Sequence, residues 1–148
     1  MANTLESFHF LIVEDDDVDI LMLKRILVEL DKDIAFSIAH DGVEALELLR
    51  DETEDGLANE TVIILLDINM PRMGGHEFLE NLRADEKLNE TIVFVLSTST
   101  DSRDINKSYG RNIAGYIPKD RLNRDEFKTL MEAFLNMNMF PGSGGGEG

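Results

Sequence analysis

The residues able to do chemistry stand in a recurring place. Glu14 and Asp15 directly follow the apolar run Phe8 to Val13, and Asp67 directly follows Val62 to Leu66. Ser97 follows Ile92 to Leu96, and Lys119 comes just after Gly115 to Ile117. Three carboxylates brought together repel one another, so either their pKa values rise or a cation sits among them. Hard oxygen ligands at an open surface favour Mg²⁺. Beside such an ion an Asp carboxylate can act as a nucleophile toward a phosphoryl group, while a Lys ammonium and a Ser hydroxyl hold the transferred oxygens. Asp67 is the candidate acceptor.

The elements that must position these groups are legible in the hydrophobic pattern. Phe8 to Val13, Ile34 to Ala39, Val62 to Leu66, Ile92 to Leu96 and Gly115 to Ile117 are short runs that read as strands, the first and fourth as buried ones. Val62 to Leu66, the most uniformly apolar of them, reads as a central strand covered on both faces. Helical spacing follows each run, at Ile20, Leu23, Ile26, Leu27 and Leu30, then Val43, Leu46 and Leu49, then Phe78, Leu79 and Leu82. A shorter helical stretch closes near Gly110, and Asn123 with Glu126 makes a capping box for a helix burying Phe127, Leu130, Met131 and Phe134. Met137 and Met139 are expected to finish that apolar face. The acidic stretch Asp51 to Thr61 reads as an exposed connection.

Five strands alternating with five helices require an α/β fold: a doubly wound parallel sheet with right-handed crossovers and helices on both faces. Ligands of such sheets sit beyond the carboxyl ends of the strands, where strand order reverses. In the order 2-1-3-4-5 the first, third and fourth strands are neighbours, and Glu14, Asp15, Asp67 and Ser97 converge on one crevice.

Composition narrows the function. The 148 residues fit one domain, expected over residues 1–139, with a disordered Gly-rich tail at 140–148. Asp and Glu number 30 against 14 Lys and Arg, a net charge of −16 that repels a phosphate backbone, so no nucleic-acid partner is expected. The absence of cysteine excludes disulfides, thiolate zinc sites and cysteine nucleophiles. No apolar run is long enough to cross a membrane, and the amino-terminal residues lack the pattern of a signal peptide. A cytoplasmic location is expected.

The segments IVEDD, LLDINMP, VLSTS and YIPKD together resemble the four signature segments of response-regulator receiver domains of two-component signalling. The resemblance spans roughly residues 8 to 139, and the intervals from Asp67 to Ser97 and from Ser97 to Lys119 agree with it. It implies a flavodoxin-like receiver fold, Asp67 as phosphoacceptor, Asp15 as metal ligand, Glu14 as a water-mediated metal partner and the Asn69 carbonyl as a further ligand. Ser97 and Lys119 would hold the phosphoryl group, and Tyr116 would swing inward when Ser97 is drawn to it. The chain departs from the commonest family form after Lys119, where Asp120 replaces the usual Pro. The acidic connection and the basic-polar ending of YIPKD are similar to receivers associated with phytochrome-type kinases.

The expected function is a single-domain response regulator that takes a phosphoryl group from a histidine kinase or phosphotransfer protein and signals through altered protein binding. It is a phosphoacceptor, not an enzyme in the ordinary sense. Its partner face, or that of a homodimer, would be the fourth helix, fifth strand and last helix, with Ile105, Tyr109, Tyr116 and residues near Phe127. A Mg²⁺-dependent phosphatase of another α/β fold is the rival, but Asn69 stands where such an enzyme wants a second acid. A phosphorylation-independent adaptor is the third reading. His9, His40 and His76 are read as packing or surface residues.

Overall fold

The computed structural model describes residues 7–137. The expected tail at 140–148, Met139 and the side chain of Met137 lie outside what is described.

Strand β1 (His9–Val13) leads to helix α1 (Asp17–Leu30), then β2 (Ala35–Ala39), α2 (Gly42–Arg50), β3 (Val62–Leu66) and α3 (Gly75–Ala84). After these come β4 (Ile92–Ser97), α4 (Ser102–Tyr109), β5 (Gly115–Pro118), a 3₁₀ turn (Lys119–Arg121) and α5 (Arg124–Met137). All pairs are parallel and the strand order is β2-β1-β3-β4-β5, as the alternation of elements requires.

The two-residue period of the strands divides the core into two layers. Leu11, Val13, Ile64, Leu66, Val93 and Val95 face α2 and α3, while Phe10, Ile12, Ile63, Leu65, Phe94 and Leu96 face α1 and α5. Every residue of β3 is buried, which is what a central strand covered on both sides demands. The two edge strands are less covered: in β2 Ala35 is exposed and Phe36, Ser37 and Ile38 are half-buried, and every residue of β5 is half-buried.

Four of the five described helices start where a side chain accepts from a free N–H group of the first turn, whereas α3 starts at Gly74 with no side-chain cap. Asp16 accepts from the N–H groups of Val18 and Asp19 to start α1, Asp41 accepts from Glu44 to start α2, and Asp101 accepts from Arg103 to start α4. Asn123 accepts from the Glu126 N–H at 2.9 Å, so the cap expected for α5 is present.

Two backbone features set the loop after β3. A Cβ on Gly75 would meet the Ile68 Cα at 2.6 Å and the Asp67 carbonyl oxygen at 2.8 Å, so only glycine lets α3 begin against the backbone that carries Asp67. Arg72 sits in the left-handed region at φ 59°, held there by a two-point pair from its Nε and Nη2 to Asp41, at 2.6 and 3.1 Å.

One expectation changes. The Asp51 to Thr61 connection is not wholly exposed, since Leu57 turns inward and joins the core below α2 and α3. Phe127 is core, as expected of the buried face of α5, and Tyr109 is half exposed. Ser97 is the last residue of β4 and Lys119 the first of the 3₁₀ turn.

Candidate phosphoacceptor site

Parallel register brings the strand ends level. Val13 pairs with Leu66 and Leu66 with Val95, so Glu14, Asp67 and Leu96 are the next residues on three adjacent strands, and Ser97 lies one further. The Asp67 N–H donates to the Val13 carbonyl at 2.9 Å, which continues the ladder to the edge of the crevice. One carboxylate oxygen each from Glu14, Asp15 and Asp67 lies within 4.8 Å of the others. Glu14 and Asp67 are buried and Asp15 is exposed, so the cluster opens to solvent on one side.

Lys119 reaches this cluster from the 3₁₀ turn after β5. Its Nζ donates to Glu14 Oε1 at 2.5 Å and to Asp19 Oδ2 at 2.7 Å, and it stands 3.7 Å from Asp67 Oδ1. The ammonium is the cation among the acids, with its side chain only 9% exposed.

One ammonium shared by three carboxylates explains a contrast in the titrations. Lys119, although burial opposes its charge, has its pKa raised because it sees Asp19, Glu14 and Asp67 together. Each acid sees only part of that cation. Burial pushes Glu14 up to about 7, with the Lys119 hydrogen bond opposing and the Asp67 charge reinforcing the shift. Burial raises Asp67 as well, against Lys119 and against a hydrogen bond from the Asn69 backbone N–H. Both outcomes anticipated for crowded carboxylates, raised pKa values and a cation in their midst, therefore occur together.

The pH consequence has a definite sign. Folding raises the pKa of Glu14 from 4.5 to about 7, so its contribution to stability is complete below pH 4.5 and is lost as pH rises through 7. In metal-free buffer the unfolding free energy should fall across that window by about 3 kcal/mol, the order set by a shift of this size. Glu14→Gln should flatten the slope. Urea denaturation in a chelator at several pH values measures both, and an equal slope in the two proteins would remove Glu14 as its source.

The sequence-predicted residues divide by what the structure does with them. Glu14, Asp15, Asp67 and Lys119 come together, and Ser97 is fully buried on the neighbouring strand, its Oγ accepting the Ser99 N–H at 3.1 Å. Asn69 is exposed and meets Asp67 through its backbone N–H. Tyr116 is half-buried, and its hydroxyl donates to the Ser99 carbonyl at 3.1 Å, tying the ring to the strand end that carries Ser97. Asp19, which accepts from Lys119, is a site residue that the sequence reading did not include. It lies in the first turn of α1, just beyond the loop that carries Glu14 and Asp15.

Comparison with known proteins follows the same outline. The family model of the response regulator receiver domain matches residues 10–132, and the chain belongs to that family of phosphoacceptor signalling proteins, which accept a phosphoryl group on an aspartate and partner with histidine kinases. Among relatives, response regulator Rcp1 of Synechocystis is 31% identical over 120 residues, covering 81% of this chain and 82% of its own. The probable methanogenesis regulatory protein FilR2 of Methanothrix harundinacea is 30% identical over 140 residues, covering 93% and 90%. Of solved structures, the phosphorylated cyanobacterial phytochrome response regulator RcpA superposes with a TM-score of 0.76 at 32% identity, covering 90% of this chain and 98% of its own. Among the described residues no helix is long and apolar enough to cross a membrane.

Proposed function

We propose that Asp67 takes a phosphoryl group from the phosphohistidine of a kinase or phosphotransfer protein, and that the modified protein then binds a different partner. The observation that carries this is the convergence of the Glu14, Asp15 and Asp67 carboxylates within 4.8 Å with the Lys119 ammonium beside them. An Asp67 oxygen forms a bond to phosphorus as the donor's P–N bond breaks, and the electron pair leaves with the imidazole nitrogen. Lys119, 3.7 Å from Asp67 Oδ1, is close enough to shift onto a phosphoryl oxygen, and Ser97 offers its hydroxyl from the next strand.

The donor set fits a hard divalent cation, because it consists of oxygen atoms, two buried and one open to water. Asp15, Asp67 and Glu14 would hold Mg²⁺, with the Asn69 carbonyl as a further ligand. The crystal structure of Rcp1, 29% identical with a TM-score of 0.70, contains Mn²⁺. A bound ion would neutralise charge developing on the transferred oxygens. Mg²⁺ should therefore raise the unfolding free energy, by about 2.7 kcal/mol at a hundredfold excess over its Kd. Asp15→Ala should abolish most of that gain, and a thermal melt with and without the ion reads it. A full shift in that variant would remove Asp15 from the ligand set.

Similarity to the phytochrome response regulator RcpA supports a phytochrome-type kinase as donor, and membership of the receiver family supports a cytoplasmic setting. Output is through protein contact, with Tyr116 reporting the state of Ser97 to the face formed by α4, β5 and α5, where Tyr109 is exposed. The same face would form a homodimer. Incubation with acetyl phosphate and Mg²⁺, followed by intact mass, tests the reading. One added phosphate supports a receiver, rapid release of inorganic phosphate a phosphatase, and no reaction an adaptor.

A further inference from the structure

Helix α4 is the least anchored of the α-helices, since Ser108 is its only buried residue. Its two ends are held by different means. Beyond its carboxyl end, the half-buried Arg83 guanidinium of α3 donates to the carbonyls of Arg111 and Asn112, and also to those of Asn89 and Thr91. At the other end His76 of α3 and Asp104 of α4 lie 3.0 Å apart, Nε2 to Oδ1. The second oxygen of Asp104 accepts the Ser99 hydroxyl at 2.7 Å. Ser99 in turn donates its N–H to Ser97 Oγ and accepts the Tyr116 hydroxyl on its carbonyl.

We propose that His76 and Asp104 are positioning residues that latch Ser99, and through it Ser97, in the unphosphorylated arrangement. The proposal rests on the reading of Asp67 as phosphoacceptor with Ser97 drawn toward its phosphoryl group. His76 uses Nε2 as the donor to Asp104, and its buried Nδ1 has no hydrogen-bond partner among the described residues. The imidazole is thus tied to its surroundings through Asp104. Movement of Ser97 carries the Ser99 backbone with it, and Ser99 must then either release Asp104 or draw the start of α4 along. Because Arg83 retains the far end, α4 tilts about Arg111 and Asn112, and the Tyr116 hydroxyl loses or follows its acceptor at the same moment.

His76→Leu keeps bulk and removes the donor, whereas His76→Gln keeps an N–H donor at comparable reach. Amide exchange of the unphosphorylated protein should become about tenfold faster over residues 99–109 in His76→Leu, the order expected on losing one charge-assisted hydrogen bond, and stay unchanged over 110–113. Uptake of phosphate from acetyl phosphate should accelerate in parallel, and His76→Gln should restore both. Asp104→Asn, at a partly exposed position, should reproduce the leucine phenotype if His76→Leu does not fold. Wild-type exchange over 99–109 in the leucine and asparagine variants, or acceleration that extends equally over 110–113, overturns the latch while wild-type labelling of Asp67 stands. A wild-type protein that takes no label on Asp67 removes the phosphoryl reading and the latch with it.

Discussion

Asp67→Asn will take up no phosphate from a small-molecule donor, and its labelling rate should fall by at least about a hundredfold, as when a nucleophile is removed outright. The substitution preserves volume in a buried position between Ile68 and β3, so the fold should survive it. Stability at neutral pH should rise, because Asp67 is one of the acids whose charge burial disfavours. Loss of labelling accompanied by gain of stability separates a missing nucleophile from a damaged site. Intact mass after incubation with acetyl phosphate, beside a urea titration, measures both. Labelling at the wild-type rate would mean that another residue accepts the phosphate.

Lys119→Met should be the most destabilising single change at the site. It removes the cation to which Glu14 and Asp19 are hydrogen-bonded and beside which Asp67 lies, and it leaves two buried carboxylates without a counter-charge. Breaking a buried ion pair by deleting one partner costs about 3–5 kcal/mol, and that range is expected here at pH 8. The loss should shrink toward pH 5. Without Lys119 the pKa values of Glu14 and Asp67 rise further, so less uncompensated charge is left as pH falls. Denaturant titrations at the two pH values decide the matter: a loss below about 1 kcal/mol at pH 8, or one independent of pH, would mean that water and not Lys119 carries the charge compensation. The double variant with Asp67→Asn should lose less than the sum of the two single effects, because the second change removes a charge that the first has stranded.

The sheet was legible before any coordinates. An all-apolar Val62 to Leu66 can only be a central strand, and alternation of short apolar runs with helical spacing leaves a doubly wound parallel sheet as the economical arrangement. The placement of Glu14, Asp15, Asp67 and Ser97 at strand ends follows from the same pattern, since a run of buried residues stops where polar atoms must meet water. Less legible was the edge. β2 reads as apolar as its neighbours, yet it is half exposed, because composition does not say which strand ends the sheet.

Site residues on helices were harder to see than those on strands. Asp19 sits among five acids in six residues, and its type and position suit a helix amino terminus whatever lies nearby. Only the reach of Lys119 across the sheet, 100 residues later in sequence, makes it a member of the site. His76 was set aside as a packing residue for a similar reason: its role depends on Asp104, 28 residues away on a different helix. Local sequence determined the strands, the caps and the types of residue at the strand ends, because those obey short-range periodicity and hydrogen-bond satisfaction. Which acid shares the ammonium and which histidine reaches α4 were decided only by tertiary packing, because a charge or hydrogen-bond pair depends on distances of a few ångströms that periodicity does not specify.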